Sequence, residues 1–189
     1  VGLTFRSLRS IKNHIPRRFC YENHVAYRRT HIRNIMTNEI SVQQHDDSVA
    51  NRLIGTWKLV SVIREEVPSG ATIDLMGLNP QGFITYSAEN RMVALLARGD
   101  RVKPAANTAT AAEAENLFRT VISYAGTYTI AGNEVSHHVD ISWNESWTGT
   151  KQVRIFQFEG NKLSLSTPVS PDPLDGKISI RSLVWEKVQ

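Results

Sequence analysis

From residue 53 to the end of the chain, apolar and polar positions alternate in short runs. Eight segments carry β-branched or aromatic residues at that spacing, near 55–64, 81–87, 91–97, 123–130, 134–143, 151–158, 162–167 and 178–187. A period of two is the mark of a strand with one buried face. Several of the links are short. Ala131-Gly132-Asn133 and Glu159-Gly160-Asn161 contain residues that tolerate positive φ, and Ser87-Ala88-Glu89-Asn90 is a third such link. Strands joined this tightly run antiparallel. One stretch changes period: in residues 110–122, Ala114, Leu117, Phe118 and Val121 recur at helical spacing. Thr110 and Glu113 there form a capping-box pair, which predicts an amphipathic helix of about three turns between the third and fourth strands. Eight sequential antiparallel strands leave two open edges, and closing the sheet removes them. The pattern therefore predicts an all-β fold, an eight-stranded antiparallel up-and-down β-barrel with one short helix.

Alternation also says which side chains point inward. The predicted interior set is Trp57, Leu59 and Ile63 from the first strand and Tyr124, Tyr128 and Ile130 from the fourth. The fifth strand adds Val135, His137, Val139, Ile141 and Trp143, and the seventh adds Leu163 and Leu165. On the sixth strand Arg154 shares a face with Phe156 and Phe158, so an inward aromatic face carries the guanidinium inside.

Charge divides the chain. Residues 1–35 hold eight of the 22 basic residues and one of the 18 acidic ones, a net of +7, which leaves residues 36–189 at −3. The basicity thus belongs to the leader, and nucleic acid is not an expected partner of the folded part. Residues 1–48 are expected to be a basic leader and polar linker, poorly ordered. They read as a transit-like peptide, a basic arm, or sequence upstream of a misplaced start. The last reading is favoured by Val1 and by Met36 followed by a polar run. The domain is then 49–189. The one cysteine is Cys20, so the folded part has no disulfide or thiolate metal site, as suits a reducing, cytoplasmic setting. No apolar run is long enough to span a bilayer.

The stretch Leu53-Ile54-Gly55-Thr56-Trp57-Lys58-Leu59-Val60 resembles the Gly-x-Trp first strand of the calycins, the lipocalins and fatty-acid-binding proteins. That resemblance implies a tryptophan plugging one barrel end under an arginine of the last strand, for which Arg181 is the candidate. The helix pair that follows the first strand in fatty-acid-binding proteins has no counterpart in residues 66–80. A closer similarity covers 52–187 and is to the lipocalin-like domain proteins of bacteria and fungi. It rests on Gly55–Ser61, Asn79–Tyr86, Tyr124–Tyr128, Val135–Val139 and Gly149–Arg154 with Leu163–Pro168. It implies a small barrel with a closing helix, and binding or conversion of polyketide-like natural products without a settled activity.

The chemistry the residues permit is limited. His137 and His138 are adjacent on a strand and point to opposite faces, so they cannot share a metal. No nucleophile-elbow, phosphate-loop or dinucleotide fingerprint is present, and neither metal nor cofactor is expected. An inward Arg154 needs a partner, either a carboxylate such as Glu134 or an anionic ligand. The leading expectation is a barrel that binds a small, apolar or weakly anionic organic molecule through Trp57, Phe83, Tyr128, His137, Trp143 and Arg154. Two other readings stay open. One is an isomerase or cyclase using His137, Tyr128 and Arg154 in the same cavity; the other is a packed barrel acting as an interaction module.

Overall fold

The computed structural model describes residues 51–172 and 175–189 of the chain; the expectations for residues 1–48 fall outside them. Ten strands follow in order: β1 (Gly55–Glu66), β2 (Thr72–Asp74), β3 (Gln81–Tyr86), β4 (Arg91–Ala97), β5 (Val121–Ala131), β6 (Glu134–Ser142), β7 (Lys151–Glu159), β8 (Lys162–Ser166), β9 (Ser170–Pro171) and β10 (Ile178–Lys187). The helix α1 (Ala111–Arg119) lies between β4 and β5. Eight strands pair antiparallel in the cyclic order β1-β3-β4-β5-β6-β7-β8-β10, and β10 returns to β1 from Trp57↔Lys187 to Glu66↔Ser179. The barrel is closed, and the two tryptophan-bearing ends of the domain are its seam. The short β2 and β9 are added outside this cycle, on β1 and β10 respectively.

Local chemistry sets the links. Two-residue loops join β5 to β6 and β7 to β8, and each begins with a glycine in the left-handed region, Gly132 at φ 59° and Gly160 at φ 57°. Thr110 and Glu113 form both halves of the capping box at α1. The helix is shorter than predicted. It ends at Arg119, and Val121 opens β5 instead. No residue of α1 is buried, and Phe118 is 50% exposed.

The inner face is continuous. Trp57, Leu59 and Val62 meet Ile84, Tyr86, Met92, Ala94 and Leu96 across the barrel, with Val135, Val139, Leu163, Leu165 and Trp185 closing the ring. Two β-bulges break the predicted parity. In β1 the register shifts between Leu59 and Ser61, so Val62 turns inward in place of Ile63. In β6 two residues, Asp140 and Ile141, follow Val139 where the partner strand offers one step, and Ile141 emerges 64% exposed. An extra residue in one strand sends everything beyond it to the opposite face.

Candidate functional site

The two barrel ends differ. At one, the Trp57 ring packs against Phe158 at 5.8 Å and its Nε1 donates to the Leu53 carbonyl at 2.8 Å. Lys187 Nζ sits 4.2 Å from that ring and donates to the carbonyls of Ile54 and Arg52. The cation over Trp57 is therefore Lys187 rather than the expected Arg181. Register explains the change, because Trp57 faces Lys187 while Arg181 faces Arg64 near the other end of the seam. Tyr128 closes the same end, its hydroxyl donating to Ser87 O at 2.8 Å and its ring edge-on to Tyr86.

A polar relay lies above this plug. The buried His137 imidazole joins two phenols, with Nε2 2.7 Å from Tyr86 Oη and Nδ1 3.0 Å from Tyr124 Oη. Burial lowers the His137 pKa to about 3, with help from the positive charge of Arg154 and from His138. The ring is thus neutral near pH 7. Burial pushes Tyr86 well above the ordinary phenol value. Burial also raises Tyr124, while Arg154 pulls it partly back as a nearby charge and a side-chain donor.

Arg154 stands beyond Tyr124. Alternation along β7 turns it inward with Phe156, and it is 9% exposed. Its Nη1 donates to the Val153 carbonyl at 2.6 Å. Among the described residues no carboxylate lies within ion-pair distance of it. Glu134, the partner considered from sequence, accepts from Ser136 instead.

The open end holds the space. An outer cleft of about 340 Å³ lies between the start of β7 and the segment 167–172, with Arg154 and Lys151 on one wall and Thr167, Pro171 and Arg181 on the other. It exists because β7 pairs with β8 only from Ile155 onward, leaving residues 151–154 free on that side. An inner chamber of about 40 Å³ continues inside, lined by Val62, Ile84, Leu96, Tyr124, Arg154 and Trp185 among others. A third cavity of about 220 Å³ opens beside α1, under Phe118, Trp143 and Trp147. Trp147 and Arg181 border all three. Trp147 rides on a 3₁₀ turn, Glu145–Trp147, capped by Asn144. Its ring meets Trp143 at 4.9 Å and Tyr124 at 5.8 Å.

A buried ion network fixes this rim. Asp172 accepts from Arg181 at 2.8 and 2.6 Å, and Arg64 reaches Asp172 at 3.7 Å, Asp175 at 2.9 Å and Glu66 at 3.1 Å. Lys177 adds a bond to Glu66 at 2.8 Å. Arg181 is thus already neutralised, whereas Arg154 faces the cavities with no counter-ion among the described residues.

The six residues expected to contact a ligand separate by position. Arg154 borders the outer cleft and inner chamber, and Trp143 borders the cavity by α1. Trp57, Tyr128 and His137 are inside the barrel but packed into the plug and relay, away from those cavities. Phe83 is on the outer wall at 48% exposure, because Gly82, Ile84 and Tyr86 take the inward positions of β3. Tyr124, Trp147, Trp185 and Arg181 complete the lining without having been singled out as contacts. Parity already placed Tyr124 inside, whereas Trp147 lies on a turn, where strand alternation carries no signal. Among the described residues no cluster of ligating side chains fits a metal ion, and no helix is long and apolar enough to cross a membrane.

A family model described as a lipocalin-like domain matches residues 54–188. Similar solved structures include a lipocalin-like protein from Bacteroides uniformis, 14% identical, with a TM-score of 0.39 over 72% of this chain and 99% of that one. An uncharacterized protein from Bacteroides eggerthii is 13% identical, with a TM-score of 0.35 and the same coverage. No curated protein matches the chain. The matched span runs from the residue before β1 to the residue after β10. With all ten strands inside it, the chain belongs to the lipocalin-like domain family.

Proposed function

We propose that the barrel binds a small, largely apolar organic molecule at its open end, with an anionic oxygen of that molecule held by Arg154. The carrying observation is the Arg154 guanidinium, buried beside a cavity with no carboxylate in reach among the described residues. A buried, unpaired cation costs several kcal/mol, and an incoming anion removes that cost. The aromatic surfaces of Trp147 and Trp143 suit a flat apolar body entering through the mouth.

Binding is favoured over proton-transfer chemistry. His137 touches none of the three cavities, and a base with a pKa of about 3 takes few protons near pH 7. Of the residues bordering the cavities, Asp172 is the one carboxylate, and Arg181 holds it. The cavities themselves argue against a solid, fully packed barrel. Native mass spectrometry of the purified chain, with a panel of flat organic acids added, tests the reading. Saturable one-to-one adducts that weaken at least tenfold in Arg154→Met support it. Absence of any adduct across the panel, or adducts indifferent to Arg154, would remove it.

A further inference from the structure

The direction of the hydrogen bonds in the relay has a consequence for what the inner chamber accepts. Tyr86 is 1% exposed, and the partner its hydroxyl finds is His137 Nε2 at 2.7 Å. A buried phenol proton needs an acceptor, so Nε2 accepts. A neutral imidazole carries one N–H, which must then sit on Nδ1 and donate to Tyr124 Oη at 3.0 Å. The two lengths agree with a hydroxyl donor at the first contact and an N–H donor at the second. The reverse arrangement leaves the Tyr86 proton buried with no acceptor. Arg154, on the far side of Tyr124, is a donor only. Both neighbours of the Tyr124 oxygen therefore give protons to it, and neither takes one. Its own hydroxyl proton turns to the space it borders, the inner chamber.

The rest of that chamber's lining is apolar or donating except for the Thr167 hydroxyl, whose oxygen already accepts from the Arg181 backbone N–H at 3.0 Å. Trp185 lines it, and the Trp185 Nε1–H is buried without an acceptor among the described residues. No carboxylate or amide side chain lines it. Arg154, Tyr124 and Trp185 thus present donors around a wall of Val62, Ile84 and Leu96.

We infer that Tyr124, its proton direction locked by His137 and Tyr86, is a specificity-determining donor that with Arg154 makes the inner chamber a seat for an oxygen that only accepts. The ligand head is then a carboxylate or an enolate, and an alcohol or amine is bound more weakly. This rests on the cavity being a ligand site, as proposed above. It adds the class of the head group and gives His137 a positioning role without ligand contact.

Two experiments on the full-length chain test it. Nitrogen-15 NMR of the unliganded protein reads the tautomer. A neutral His137 with its proton on Nδ1 is expected, and a proton on Nε2 would overturn the inference whatever binds. Calorimetric titration then compares 2-naphthoate, the enolate of 1,3-indandione and 2-naphthalenemethanol. At least one of the two anions is expected to bind about tenfold or more tighter than the alcohol, and Tyr124→Phe to remove about tenfold of that anion's affinity while leaving the alcohol nearly unchanged. Whichever anion leads separates the carboxylate from the enolate head. An alcohol that matches both anions, or a Tyr124→Phe variant that weakens all three equally, would overturn the donor argument and leave the cavity reading standing. Binding by none of the three would take down both.

Discussion

At the scale of single residues, the barrel keeps its histidine neutral and its arginine charged within one interior. His137 is buried between two phenols, and the positive Arg154 stands near enough to oppose a second cation. This makes the imidazole a source of acid sensitivity. In the unfolded chain it titrates near 6.5, and in the folded barrel near 3. Between those values the unfolded chain binds the extra proton, so acid favours unfolding. The contribution is whole above pH 6.5 and is lost progressively as pH falls toward 3, on the order of 5 kcal/mol over the full window. Urea midpoints of the native chain and of His137→Gln, taken from pH 7 down to pH 4, check this. The native chain is expected to lose stability more steeply than the variant. Parallel slopes would mean that the imidazole is not held neutral by folding. Trp57 is the second informative residue. The cation above it is lysine, delivered by a register that brings Lys187 opposite it, so the Gly-x-Trp signature located the plug correctly but not its partner.

At the scale of elements, the bulges decide which side chains reach the interior. Gly126 lies on β5 opposite the β6 bulge, and a Cβ placed there would meet His138 O at 1.9 Å and its carbonyl carbon at 2.9 Å. The strands approach too closely for any side chain. Gly126→Ala is expected to destabilise the fold by about 2–3 kcal/mol, by forcing backbone apart in a packed interior. It should also disturb the adjoining His137 contacts. Chemical denaturation measures the first effect and the His137 NMR signals the second. A variant of native stability would show that the bulge yields without cost. The same glycine marks how far the sequence could be read. The eight barrel strands, their order and closure, and the helix cap follow from alternation, turn residues and Thr110–Glu113, whereas the short β2 and β9 do not. Interior positions follow only where a strand is unbroken, as on β7 and β8, which carry Arg154, Phe156, Leu163 and Leu165 inward. Past the bulges of β1 and β6 parity inverts, so Ile63 and Ile141 are misplaced. A mid-strand glycine was the available hint. Phe83 differs: it lies on an unbroken strand, where alternation with Ile84 and Tyr86 turns it outward despite its hydrophobicity.

At the scale of the whole molecule, the barrel is sealed at the tryptophan end and open at the other, and the open end is held by charges. The sequence revealed the seal, because a plug needs a large side chain at a fixed place on one strand. It did not reveal the rim. Arg64 and Glu66 lie far along the chain from Asp172, Asp175, Lys177 and Arg181, and the two groups meet because β1 and β10 form the seam. Burial sets the weight of each ion pair. The Arg91–Asp140 pair is about half exposed on both sides, so Asp140→Asn should cost well under 1 kcal/mol. Asp172 is wholly buried between Arg181 and Arg64, which are themselves nearly buried. Asp172→Asn keeps the volume but leaves two guanidinium groups close together without that negative charge. It should cost about 3–5 kcal/mol, as expected when one partner of a buried pair is removed. The loss should persist in 1 M salt, because solvent ions screen buried charges weakly. Denaturation of both variants at low and high salt checks the contrast. If Asp172→Asn were as mild as Asp140→Asn, the network would be a surface ornament, and the wall it gives the outer cleft would have to be held by some other contact.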